Sequence, residues 1–288
     1  MRLQLIANPV AGGQAQALID RARARLLSRG VEVEVFLTRG RGDAERFAAQ
    51  GTSAKFDRIL VAGGDGTVNE VINGMCADSP PLAILPLGTT NVLALETGLP
   101  LGVEAACDLA VDGQPTPIHL GLADQRRFVL MAGVGFDAKV VHTVNLRLKR
   151  LIGKGAYLLS AWRSWLCPGP QEITIVDEQG ESHHGYGAIV SNARCYGGRF
   201  TLTPKASLYA DTLEVCLILR PGRLALLMAG VALLQGRALS PPWGRQFKSR
   251  RLTVSGVGIP VQIDGDEAGF LPRVFAMNPF PIRLVLPA

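Results

Sequence analysis

Gly63, Gly64 and Gly66 stand around a single aspartate, Asp65, directly after an apolar run and just before a helix-like pattern that starts near Thr67. Backbone N–H groups that converge at the start of a helix bind phosphate oxygens, and a side chain at those positions would hold the phosphate away. A glycine turn that only lets a helix pack on its strand would look similar. The aspartate tilts the balance, because an acid among phosphate-binding amides is costly unless it holds a metal ion or a reacting hydroxyl. The stretch is neither a Walker A loop, since no Gly-Lys-Ser/Thr follows, nor a G-x-G-x-x-G fingerprint.

Such a loop needs a strand leading in and a helix leading out. Residues 3–9, 31–38, 58–64 and 81–88 read as strands, and 13–30, 42–51 and 67–75 as helices. This alternation predicts a parallel sheet with helices on its faces, whose ligands lie at the carboxyl ends of the strands. Three Gly-rich breaks, 8–13, 63–66 and 88–91, each follow a strand and are expected along one edge. After about residue 118 the chain turns to β-rich runs separated by turn residues, the pattern of antiparallel pairing in a sandwich or barrel. The expected fold class is α/β. Residues 1–118, with a returning strand at 281–288, are expected to form an N-terminal α/β domain with a parallel sheet, and 119–280 a C-terminal β-rich domain. The apolar stretch 224–234 reads as a buried helix or strand–helix pair, or as the lining of an apolar pocket.

A chain of 288 residues, 48% apolar, is long enough for two real cores. Charge is uneven. Residues 1–120 carry 10 Lys and Arg against 13 Asp and Glu (−3), and residues 121–288 carry 20 against 11 (+9). A basic half meets nucleic acid, anionic lipid headgroups or a phosphorylated ligand. With few aromatics and no interleaved basic-aromatic motif, nucleic acid is not an expected partner. Cys76, Cys107, Cys167, Cys195 and Cys216 form no C-x-x-C pair, so each is expected to be a small buried residue in a reducing cytoplasm. His119, His142, His183 and His184 lack metal-ligand spacing and are expected at the surface or in turns. No stretch reaches bilayer-spanning length, and the N-terminus lacks the apolar core and cleavage site of a signal peptide. Residues 145–166 combine Arg147, Lys149, Arg150, Lys154 and Arg163 with Tyr157, Trp162 and Trp165. That composition suits a helix lying against anionic headgroups, or equally an amphipathic helix packed on the second domain.

The segment GGDGTVNEV at 63–71 resembles the signature loop of the diacylglycerol kinase catalytic-domain family, which includes bacterial lipid kinases and sphingosine and ceramide kinases; NAD kinases share its G-G-D-G-T core. Further matches follow the family's order along nearly the whole chain. They are NPVAGG at 8–13, LTRGRGDAERFA at 37–48, LPLGTTNVLA at 85–94, GVGFDAKVV at 133–141 and LKRLIGKGAYLLSAW at 148–162. The stretch at 191–215 and VQIDGDEAG at 261–269 complete the series.

The resemblance implies transfer of the γ-phosphoryl group of ATP, with Mg²⁺, to the hydroxyl of a lipid such as diacylglycerol. It implies nucleotide contacts at Gly63, Gly64, Asp65, Gly66, Thr67, Val68 and Asn69, with Thr38 and Thr89. Thr38 is equally placed to cap the helix starting around Gly42, and Asn8 is expected mainly to shape its turn. The family's general base is the third residue of D-G-E; here that is Asp266, one methylene shorter, with Asp264 expected to hold the loop, Glu267 adjacent and Asp65 a competing base. A structural metal, Mg²⁺ or Ca²⁺, is implied on the Asp211 carboxylate with main-chain carbonyls of Leu208 and Leu213, although Thr212 stands where the family has glycine. A cytoplasmic protein touching an anionic membrane peripherally follows as the expectation, with a homodimer left open. The alternatives are an NAD kinase-like enzyme and a nucleotide- or lipid-binding protein with impaired catalysis.

Overall fold

The computed structural model describes residues 1–143 and 171–287, so the basic-aromatic segment 145–166 and Cys167 lie outside the described residues, as does the side chain of His142. The chain divides into two compact units, residues 1–119 with 279–288, and residues 120–278.

The first unit runs β1 (Arg2–Ala7), α1 (Ala15–Ser28), β2 (Glu32–Leu37), α2 (Asp43–Ala49), β3 (Arg58–Gly63), α3 (Asp65–Gly74) and β4 (Leu82–Pro86). It continues through α4 (Val92–Thr97), α5 (Val103–Asp112) and β5 (Gln114–Ile118). The last strand of the chain, Ile282–Leu286, returns to the same sheet between β4 and β5. It runs parallel to β4, and β5 closes the edge antiparallel to it. β1, β3 and β4 are buried along nearly their whole length, as strands covered on both faces must be. α1 buries Ala15, Ile19, Ala22 and Leu26, the three- and four-residue spacing of one helix face, in a core with Leu3, Leu5, Leu60 and Leu85.

The second unit contains β6 (Gly121–Ala123), β7 (Arg126–Phe128), β8 (Met131–Val134), α6 (Phe136–Thr143), β9 (Ile173–Asp177) and β10 (Ser182–Gly185). Then come β11 (Ala188–Ser191), β12 (Cys195–Tyr196), β13 (Phe200–Thr201), β14 (Leu213–Ile218) and α7 (Arg223–Leu234). It ends with β15 (Gly244–Ser249), β16 (Arg251–Ser255), β17 (Pro260–Ile263), β18 (Asp266–Phe270) and β19 (Arg273–Met277), which makes Ile282–Leu286 β20. Two six-stranded sheets, β10-β9-β16-β19-β6-β7 and β15-β14-β11-β8-β17-β18, share one apolar core. Every second residue faces it: Ile173 and Ile175, Leu252 and Val254, Leu213, Val215 and Leu217. The β-rich part is therefore a sandwich.

Four expectations change. α3 starts at Asp65, two residues before Thr67, because extended Gly64 already accepts the Val68 N–H. α4 and α5 had no counterpart in the sequence reading. α7 buries only Ala225 and Ala232, so it is not a buried helix. Cys107 and Cys216 are buried as expected, and burial pushes their thiols up to about 11 and about 12, but Cys76 is exposed and Cys195 only partly buried.

Candidate functional site

Because β1, β3 and β4 are parallel neighbours, the loops after them emerge on one edge. The ladder continues past the strand ends, with Asn8 N–H bonded to Ala62 O at 2.9 Å and Leu87 N–H to Gly63 O at 2.9 Å. This brings Gly64 and Gly88 so close that a Cβ on Gly88 would lie 2.6 Å from Gly64 Cα, and one on Gly64 would lie 3.2 Å from Gly88 Cα. A Cβ on Gly63 would strike the Thr67 side chain at 2.6 Å. Three of the four glycines thus have an internal reason. Gly66 does not: a Cβ there would meet nothing within 4 Å, its φ is not left-handed, and glycine inside a helix costs about 1 kcal/mol relative to alanine. The space over Gly66 is open.

The start of α3 suits an anion. Its N-cap is Gly64, which brings no side chain of its own to the amides of the first turn, and the helix dipole adds partial positive charge there. Thr67 is buried, and its Oγ1 accepts from Asn8 Nδ2 at 3.2 Å while Asn8 Oδ1 accepts the Val10 N–H at 3.1 Å. Asn8 therefore shapes its turn and fastens it to α3. Val68 is buried with its N–H on Gly64 O, and buried Asn69 bonds Asn73, so both hold the helix start rather than present side chains outward. Asp65 Oδ1 accepts the Leu93 N–H at 3.3 Å, which satisfies one amide at the start of α4.

Asn91, at a left-handed φ of 48°, clasps Gly88 from both sides: it accepts Gly88 N–H at 2.9 Å and donates to Gly88 O at 2.8 Å. That clasp leaves Thr89 exposed at the loop tip. Thr38 lies just beyond β2, its N–H on Ala7 O at 2.9 Å. It does not cap α2. The Asp43 carboxylate instead organises the loop before α2, accepting the Arg39 and Gly40 N–H groups at 2.8 and 3.0 Å; the Arg39 bond first of all holds its pKa below the usual range.

In the second unit, β17 and β18 form a hairpin whose turn residues, Asp264 and Gly265, have φ of 48° and 86°. Two positive φ values in a two-residue turn match the twist of the strands. The turn is fastened from behind. The Asp264 carboxylate accepts three backbone N–H groups, from Val129, Leu130 and Met131, at 2.8, 2.9 and 3.0 Å. Gln262 Oε1 accepts the Gly265 N–H at 2.8 Å, and Gln262 Nε2 donates to Asp137 Oδ2 at 2.7 Å. Tyr196 donates its O–H to the other oxygen of Asp137. A Cβ on Gly133 would fall on Asp137 Oδ2, so this strand glycine makes the room for the pair. Removal from water pushes the Asp137 carboxyl up to about 6, against the pull of the Gln262 amide. In front of these braces, Asp266 and Glu267 are exposed.

Sequence reasoning foresaw Asp264 as the holder of the turn but assigned nothing to Asp137, Tyr196 or Gln262. The one local signal was the aspartate in GVGFDA, four residues after Gly133. Asp266 belongs to the second unit, and the Gly63–Asn69, Thr38 and Thr89 set to the first.

At the implied structural metal set, an ion would have to compete with a salt bridge. Asp211 is exposed and paired with the Arg250 guanidinium, so a cation already neutralises the one carboxylate of that donor set. Leu208 and Leu213 are buried and could offer only carbonyls. Elsewhere, Asp177, Glu181 and His183 gather ligand-type atoms at the β9–β10 hairpin. His183, expected at the surface, is buried there, stacked on Phe247 at 4.3 Å with Nε2 3.0 Å from Asp177 Oδ2. Its hydrogen bond is the main cause that holds the Asp177 pKa below the usual range. Arg245 reaches Glu181 at 3.3 Å, so these carboxylates too have partners within the protein.

Comparison with known proteins finds two family models that follow one another along the chain. Residues 2–123 match the family model described as the diacylglycerol kinase catalytic domain, and residues 131–286 match the YegS C-terminal NAD kinase beta sandwich-like domain. A protein named diacylglycerol kinase from Bacillus subtilis is 27% identical over 99% of this chain and 96% of its own. One from Pseudomonas putida named "Probable lipid kinase YegS-like" is 31% identical over 91% of this chain and 88% of its own. The crystal structure of a diacylglycerol kinase from Bacillus anthracis superposes with a TM-score of 0.77 at 19% identity, covering 99% of this chain and 96% of that one, which establishes likeness of fold.

Proposed function

The chain belongs to the diacylglycerol kinase catalytic-domain family of lipid kinases, and from that premise we propose that it moves the γ-phosphoryl group of ATP to the hydroxyl of a lipid, with diacylglycerol as the acceptor. The observation that carries the nucleotide half is the start of α3, with glycine as its N-cap and open space over Gly66. The acceptor half rests on the exposed Asp266, presented by a turn that Asp264 and Gln262 immobilise.

In this reading the first-turn amides of α3 hold phosphate oxygens, and Thr38 and Thr89 contact the nucleotide. Asp266 accepts the proton of the lipid hydroxyl as its oxygen bonds to the γ-phosphorus. The bridge to the β-phosphate breaks, and ADP leaves with its electron pair. Magnesium, when bound with ATP, neutralises phosphate charge, and the Asp65 carboxylate, a hard oxygen donor at the phosphate-binding helix start, would hold it. Asp266 is shorter than glutamate, which makes the pinning of its turn more important, since a shorter arm tolerates less drift.

The test is a panel of acceptors with purified protein and labelled Mg-ATP: diacylglycerol, a sphingoid base, ceramide and NAD. Label should pass to diacylglycerol. Transfer to NAD instead would replace the reading with an NAD kinase, and ATP binding without transfer to any acceptor would leave a nucleotide-binding protein.

A further inference from the structure

α7 is an apolar helix in the wrong place for a core. Leu224, Leu227 and Leu234 are 55%, 49% and 71% exposed, whereas the buried residues of the helix are Ala225 and Ala232. At 100° per residue the three leucines share one face with half-buried Val231, at i, i+3, i+7 and i+10, and the two alanines point away from it. The helix packs beside β13, whose Phe200 is itself 45% exposed. A soluble surface does not normally gather large side chains in this way.

The charged residues of the segment that carries α7 have one sign. From Val215 to Ile263 the sequence contains no aspartate or glutamate, and Arg220, Arg223 and Arg237 bracket α7, all exposed. An apolar stripe flanked by arginines is the chemistry of a helix lying in the headgroup region of an anionic bilayer, with leucines toward the acyl chains and guanidinium groups on phosphates. A second copy docking through the same face would set these arginines against their own counterparts.

We propose that the α7 face, with Phe200, is the surface by which this protein docks on an anionic lipid bilayer; the idea rests on the reading that its acceptor is a lipid. The experiment is flotation of the full chain with phosphatidylcholine vesicles, with and without phosphatidylglycerol, alongside transfer to a soluble short-chain diacylglycerol. Wild type should float with the anionic vesicles and detach as salt rises. Leu224→Ser/Leu227→Ser/Leu234→Ser should lose about tenfold or more in partitioning and keep its turnover on the soluble acceptor. Arg223→Glu/Arg237→Glu, confined to exposed positions, should weaken flotation even if the leucine variant fails to fold. Unchanged flotation of both variants overturns the proposal. So does a wild-type dimer that the leucine variant dissociates while flotation persists, which would assign the face to a second copy. Loss of transfer to every lipid by wild type would overturn the kinase reading and leave the flotation result to stand separately.

Discussion

In the proposed reaction the α3 loop and the β17–β18 turn both present their acting atoms through glycine-containing bends, but they are held in opposite ways. At α3 the backbone itself is the instrument. Gly64 and Gly88 pack main chain against main chain, the N-cap is a glycine, and Gly66 is bare on its open side. At the hairpin the backbone is only a mount for the Asp266 side chain. Its position depends on Asp264, Gln262, Asp137 and Tyr196 behind it. A group that grips with amides needs room; a group that grips with a carboxylate needs bracing.

The contrast is sharpened most by breaking the bare side. Gly64→Val puts methyl groups where Gly88 Cα lies 3.2 Å from a Cβ. ATP affinity by calorimetry should fall about 100-fold or more, about 2.7 kcal/mol, with the second unit intact by circular dichroism. Retained affinity would mean the loop can open without loss.

On the braced side, Asp264→Ala removes one acceptor from three N–H groups at once. It should cost about 3 kcal/mol and roughly 5–10 °C in Tm, and lower activity with it, because the left-handed turn loses its anchor.

A smaller effect comes from Asp137→Asn, which turns an amide toward the Gln262 amide while keeping size and shape. Steady-state kinetics should give kcat down about tenfold with KM for ATP unchanged, the mark of a positioning residue rather than a nucleotide contact. The same variant has a pH signature. The folded protein holds the Asp137 proton more tightly than the unfolded chain, with a carboxyl at about 6 against 3.8. Its contribution to stability is therefore full below the lower value and lost as pH rises through the higher one. The Tm of wild type relative to Asp137→Asn should fall across that window and stay level above it; a flat difference would place the carboxyl back in the ordinary range.

The same contrast explains what could be read from the sequence. Glycine spacing and strand–helix periodicity are local, so the three loops on one edge and the glycine-rich turn into α3 were legible within the first 91 residues. Even there α3 began two residues early, because extended Gly64 serves as N-cap with only its carbonyl. Braces are not local. Gln262 and Asp137 are 125 positions apart and meet because β17 pairs with β8, a pairing no single-sequence period announces. His183 misled for a similar reason: its burial depends on a hairpin partner, Asp177, and on Phe247 from another strand. Apolar composition alone also could not tell a core helix from the exposed α7.

The most direct test of the whole account is Asp266→Asn, measured for turnover on diacylglycerol and for ATP affinity in the same preparation. The account predicts that kcat falls about 1000-fold while the ATP Kd changes by less than about twofold, because a proton acceptor is lost and the amide loop is untouched. Full turnover in that variant, or a loss of ATP binding equal to the loss of turnover, would contradict it.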